Sequence, residues 1–232
     1  MSAHLFDIPP TPAIPVVGES AAYPIGRIFC VGRNYEEHAK EMGHEADRDA
    51  PFYFTKTPSA YCANDQTVPY PPGTSNYHHE MELVVALGAE VFRCDRAQAE
   101  AAIYAYGCGL DMTRRDRQQD GKDKRRPWDL GKDVENAAVL APLTKAADMG
   151  AIGPQRIHMS VNGEIRQDAH LKDLIHSVVE VIVHLSGYYH LRPGDIIMTG
   201  TPAGVGPVVA GDVITGGIDG LTDIRHTLSA AE

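Results

Sequence analysis

The stretch Asn76-Tyr77-His78-His79-Glu80-Met81-Glu82-Leu83-Val84-Val85-Ala86 decides how the rest of the chain is read. Leu83, Val84 and Val85 form a short apolar, β-branched run closed by Gly88, which predicts a strand. Strand side chains alternate between faces, so Glu80 and Glu82 point the same way beside that run. Two carboxylates on one face near a core repel each other and lose hydration. A cation or a shared proton makes such a pair tolerable. Donors that are all oxygen suit Mg²⁺, Mn²⁺ or Ca²⁺ better than zinc. The same spacing fits a solvated sheet face with Leu83 and Val85 turned inward, and the stretch alone leaves both readings open.

Working outward, 232 residues suffice for one large domain or two small ones with a sizeable core. The net charge of -10 argues against nucleic acid or an anionic membrane as partner, since both reward basic surfaces. An anionic small molecule remains compatible where basic residues converge locally. No apolar run approaches the ~20 residues of a membrane span. No basic segment followed by an apolar one opens the chain, so a cytoplasmic protein is expected. Cys30, Cys62, Cys94 and Cys108 are scattered without a C-x-x-C pair, as befits buried thiols in a reducing compartment.

Residues 1–24 carry five prolines and are expected to be irregular, with Val16 and Val17 as a short edge strand. Ile25 to Val31 predicts a strand ending at Gly32-Arg33-Asn34-Tyr35, and Glu36 to Met42 a polar helix stopped by Gly43. His38 and Glu41 are three apart, hence neighbours on one helical face. Such a pair is either a water-activating dyad or two surface residues. His44 to Ala50 reads as a mobile, lid-like loop. Pro51 to Lys56 predicts a strand and Ala97 to Ala105 a helix. Asp111 ends a run of small residues where strand yields to loop or helix, as a metal ligand or a helix cap. The charged segment from Thr113 to Arg126 reads as a basic loop, some of whose arginines could clamp a carboxylate. A hairpin turns at Asn162-Gly163, and an amphipathic helix carries Leu174, Val178, Val181, Ile182 and Leu185, with Asp173 as its cap. Ile196 to Met198 predicts a buried strand leading into Thr199-Gly200-Thr201-Pro202-Ala203-Gly204-Val205-Gly206. Without a Gly-Lys-Ser/Thr sequence this is no nucleotide loop, but it offers N–H groups and hydroxyls to a small anion. Strands follow one another with few helices between them, which predicts one β-rich α+β domain.

Taken in order, these motifs resemble the fumarylacetoacetate hydrolase family across about residues 25–228. The resemblance rests on Gly32-Arg33-Asn34-Tyr35 with His38 and Glu41, His79-Glu80-Met81-Glu82-Leu83, and Gly109-Leu110-Asp111-Met112-Thr113. Arg115-Asp116 with Gln118, Pro127-Trp128 with Lys132, Val161-Asn162-Gly163 and the glycine-rich loop complete it. It is nearest to the short members, the acylpyruvases and fumarylpyruvate hydrolases. It implies a mixed β-sandwich roll over residues 25–232, a homodimer, and Mg²⁺ or Mn²⁺ held by Glu80, Glu82 and Asp111. It further implies His38, Glu41 and Lys132 as catalytic residues, and Arg33, Arg115, Gln118, Gly200 and Thr201 as substrate-binding. One departure follows Lys132: Asp133-Val134-Glu135-Asn136-Ala137 stands where members commonly have Phe-Asp before a proline.

The activity implied is hydrolysis of a C–C bond in a 2,4-dioxo acid, with fumarylpyruvate of gentisate breakdown as the favoured substrate. Arg114 and Arg117 are then candidates for a second carboxylate. Oxaloacetate decarboxylation, isomerisation of a hydroxydienedioate, and non-catalytic binding of a small acid are the competing expectations.

Overall fold

A computed structural model of the chain describes residues 5–7, 9–41 and 50–232. The expected lid loop therefore lies outside the described residues, Ala50 excepted.

The strand Met81–Leu87 runs through the middle of an eight-stranded sheet. Its order is Phe52–Lys56, Arg27–Gly32, Asp195–Met198, Met81–Leu87, Ile103–Asp111, Ala138–Leu140 and Tyr61–Ala63, with Thr144–Lys145 also paired to Ile103–Asp111. Two of its pairings are parallel, Asp195–Met198 on Arg27–Gly32 and Ala138–Leu140 on Tyr61–Ala63. A five-stranded sheet holds Glu164–His170, Arg156–Val161, Val213–Ile218, Ile224–Ser229 and Gln66–Pro69. The architecture is the β-rich α+β roll that the resemblance implies.

Burial explains why the acidic strand reads as apolar. Met81, Leu83, Val85 and Leu87 pack with Ile157, Met159 and Ile214 of the five-stranded sheet. Val84 and Ala86, on the other face, pack with Ile14, Tyr23, Ile25 and Ile28. The carboxylate face is thus covered too, and it is not a solvated sheet surface. The proline-rich segment supplies part of that cover: Ala13–Ile14 pairs with Tyr23–Pro24, and Val16 bridges to Leu143.

Three local expectations are corrected. The alanine-rich helix is Arg96–Ala102, started by a capping box of Asp95 and Gln98, and the chain is already a strand at Ile103. The amphipathic helix is Val178–Ser186, capped by Ser177 with Glu180 rather than by Asp173. Leu174 is held extended instead by a bridge to Tyr35, and the Ile175 amide donates to the Asn34 carbonyl. The charged segment is not a loop: Arg115–Asp123 is a helix whose buried residues are Gln118 and Gly121. A Cβ on Gly131 would lie 2.7 Å from the Gln118 nitrogen, so only glycine lets the helix Asp129–Lys132 pack this closely. That contact carries Lys132 and Gln118 into one site.

Candidate active site

Glu80 sits where the chain leaves the short strand Tyr77–His79 and enters Met81–Leu87. The antiparallel register sets Met81 against Leu110 and Glu82 against Gly109, and the Asp111 amide donates to the Glu80 carbonyl at 2.9 Å. Strand register thus brings together residues 29 to 31 apart in sequence. One carboxylate oxygen from each of Glu80, Glu82 and Asp111 lies within 4.8 Å of the others. All three are buried, at 5%, 2% and 0% exposure.

Three cations offset that charge. Lys132 Nζ donates to Glu80 Oε2 and Asp111 Oδ2, both at 2.7 Å, and to Thr113 Oγ1 at 2.8 Å. Arg115 donates to Glu80 Oε1 at 2.5 Å. Lys56, fully buried, lies 2.8 Å from Asp111 Oδ1 without the alignment of a hydrogen bond. Burial opposes the charge of Glu80, yet Lys132 and Arg115 hold its carboxyl far below the usual range. Glu82 makes no ion pair among the described residues: burial, Asp111 and Glu80 push it well above that range, opposed by the nearby Lys132 charge and by the Gly200 N–H at 2.7 Å. A cluster short of positive charge at one carboxylate, with oxygen donors alone, fits a hard divalent ion.

One member of the expected dyad, His38, opens onto the same cavity. His38 Nδ1 lies 3.2 Å from Glu41 Oε2, and His38 lines the cavity beside Glu80 and Glu82. Burial pushes His38 below the ordinary imidazole value, although Glu80 and Glu41 oppose it. With Nδ1 donating to Glu41, Nε2 is left as a base towards the cavity. The Gly204 amide donates to both Glu41 oxygens at 3.2 Å, tying the short helix Glu36–Glu41 to the glycine-rich loop. Gly204 has φ +95° and a Cβ there would fall 1.9 Å from the Arg166 carbonyl oxygen, so no other residue fits.

The residues expected to bind substrate divide. Arg33, Arg115, Gln118 and Thr201 line the cavity. Gly200 donates its N–H to Glu82 Oε2 at 2.7 Å. Arg114 and Arg117 do not line the cavity: Arg114 donates to the Leu130 carbonyl, and Arg117 lies beside Asp116 and Asp120. The departing segment after Lys132 also faces elsewhere, with Asp133 accepting from the Thr57 amide at 2.8 Å. Sequence reasoning missed Lys56, Lys122 and Gln167. Gln167, fully buried, donates to Thr201 Oγ1 at 2.8 Å and the Pro202 carbonyl at 2.7 Å, and accepts from the Met81 amide at 3.0 Å. One amide thereby joins the acidic strand to the glycine-rich loop.

The arrangement sets a paired imidazole beside a carboxylate cluster whose all-oxygen donors fit a hard cation. Residues 27–229 match the fumarylacetoacetate (FAA) hydrolase C-terminal family, and the chain belongs to it. It is 48% identical over 197 residues to a fumarylpyruvate hydrolase of a Ralstonia species, covering 82% of this chain and all of that one. It is 38% identical to the oxaloacetate tautomerase YcgM of Escherichia coli, over 85% of this chain and 90% of the relative. Its fold superposes with a TM-score of 0.94 on fumarylpyruvate hydrolase from Pseudomonas aeruginosa, solved with Mn²⁺ and pyruvate. That pair shares 40% identity over 98% of this chain and 100% of that one.

Proposed function

We propose that this protein is a hydrolase that cleaves the C–C bond of a 2,4-dioxo acid, with fumarylpyruvate as substrate and fumarate and pyruvate as products. The observation that carries the reading is that His38, paired with Glu41, lines the same cavity as Glu80 and Glu82, which Asp111 joins in one buried carboxylate cluster. Glu80, Glu82 and Asp111 are its metal ligands, for Mg²⁺ or Mn²⁺. When bound, the ion supplies Lewis acidity to the carboxylate and 2-oxo oxygens of the substrate.

The chain's own groups supply the rest. His38 Nε2 takes a proton from water as the water oxygen bonds to the distal carbonyl carbon, and Glu41 orients the ring. Lys132 and Gln118 are placed to stabilise the negative charge that develops. The bond between that carbon and the adjacent methylene then breaks, its electron pair leaves as the pyruvate enolate, and protonation yields pyruvate. Arg115 and Thr201 hold the substrate's oxygens, and Gly200 keeps Glu82 in place. A cytoplasmic homodimer acting in gentisate breakdown is the setting this reading implies.

The His38→Ala variant tests it by pyruvate release from fumarylpyruvate. Turnover is expected to fall by roughly 10²–10⁴-fold, the usual contribution of a general base. The similarity to an oxaloacetate tautomerase favours a second reading, enolisation without an attacking water. Oxaloacetate tautomerised by the wild type, with no acylpyruvate cleaved, would replace the first reading by the second.

A further inference from the structure

Two cations in the cavity have no carboxylate partner. Arg33 and Lys122 both line it, and neither makes an ion pair among the described residues, unlike Lys132 and Arg115. Each is mounted on an aromatic ring instead. The Arg33 Cζ lies 5.4 Å from the Phe52 ring centroid and the Lys122 Nζ 5.3 Å from that of Trp128. The two rings meet edge to face at 5.7 Å, so both cations are carried on one touching aromatic pair, a strip in the cavity wall where the Arg33 charge is felt at Lys122.

The strip is built by the backbone around it. Arg33 occupies the left-handed region at φ +56°, a conformation that side chains other than glycine adopt at some cost. At Gly32 a Cβ would lie 2.0 Å from the Phe52 ring, so the ring rests against bare backbone. Partly buried positive charge without a counter-ion is unfavourable, and burial lowers the pKa of both groups. A bound anion relieves that cost, and the two flat rings that carry the cations favour a flat, conjugated chain beside them.

We propose that Arg33 and Lys122, carried on Phe52 and Trp128, form the subsite for a second carboxylate at the acyl end of the substrate. The inference rests on the reading above, which places the 2-oxo acid head at Glu80, Glu82 and Asp111. It assigns to Lys122 and Arg33 the role that Arg114 and Arg117, engaged elsewhere, do not fill. The substrate class is a dicarboxylic acylpyruvate, not one with an alkyl end.

The test compares two unreactive 2-oxo acids of equal length, 2-oxoadipate with a distal carboxylate and 2-oxohexanoate without one. Each is titrated into the Mn²⁺-loaded protein, reading the fluorescence of Trp128, the chain's one tryptophan. The wild type is expected to prefer the diacid by roughly tenfold or more, as for a charge-assisted contact. Lys122→Met should remove most of that preference and Lys122→Arg should restore it. Equal weakening of both probes in Lys122→Met, or an unchanged preference, overturns the subsite. Acylpyruvate cleavage without a diacid preference likewise removes the subsite and keeps the hydrolase reading. A diacid preference without any cleavage removes the hydrolase reading and keeps the subsite.

Discussion

The two ends of the strand that starts at Met81 share one sheet face and equal burial, yet hold opposite chemistry. Val84 and Ala86 lie against Ile14, Ile25 and Ile28, where each apolar contact stabilises the fold. Glu82 on that face, with Glu80 just before the strand and Asp111 across from it, gathers three carboxylates that the fold must hold apart from water. The apolar end is stabilised by what it excludes. The acidic end is tolerated because Lys132, Arg115 and Lys56 surround it, and it is unbalanced at Glu82. Stability and chemistry are thus separated along a single strand.

Removing the cation that bridges the acidic end should have the largest effect. Lys132→Met is expected to destabilise the metal-free protein by about 3–5 kcal/mol, the usual result of breaking a buried pair. Saturating Mn²⁺ should recover more stability in this variant than in the wild type. Denaturant melts that show the same loss with and without Mn²⁺ would break the comparison. Gln167→Leu should matter less, at about 1–3 kcal/mol for stranded polar partners. Its sharper signature is a raised KM, because Thr201 loses its anchor while His38 and Glu41 keep theirs. A change in kcat alone would deny Gln167 that positioning role.

The smallest effect belongs to the five-stranded sheet, packed on the strand's opposite face. His226 is fully buried on Ile224–Ser229, and neither ring nitrogen finds a partner among the described residues. Burial pushes its pKa down to about 4. Between that value and the ordinary 6.5 the unfolded chain binds a proton that the folded one refuses, so stability falls as pH falls through this window. His226→Leu should leave the melting temperature nearly unchanged at pH 8 and raise it relative to wild type near pH 5. An equal pH dependence in both proteins would show that His226 contributes nothing to it.

Much of this was legible because the signals are local. The Glu80/Glu82 alternation, the three-residue spacing of His38 and Glu41, and the Asn162-Gly163 turn are short-range patterns that the backbone repeats faithfully. The helix Arg115–Asp123 escaped because its buried residues are Gln118 and Gly121, which leave no apolar periodicity to read. Lys56, Lys122 and Gln167 escaped for a related reason. Their neighbours lie 55, 6 and 34 residues away, at Asp111, Trp128 and Thr201, and a lone polar residue gives no sign of its burial. The capping of the later helix shows the converse, since Ser177 and Glu180 were in plain view but Leu174 belongs to the tertiary pairing with Tyr35.

The aromatic strip has an evolutionary consequence. Phe52 stands at the first position of the outermost strand, and Trp128 just before the helix Asp129–Lys132, whereas the acidic trio is woven into the sheet interior. With the strip as the acyl subsite proposed above, drift at the rim would exchange one acyl preference for another and leave the buried carboxylates untouched.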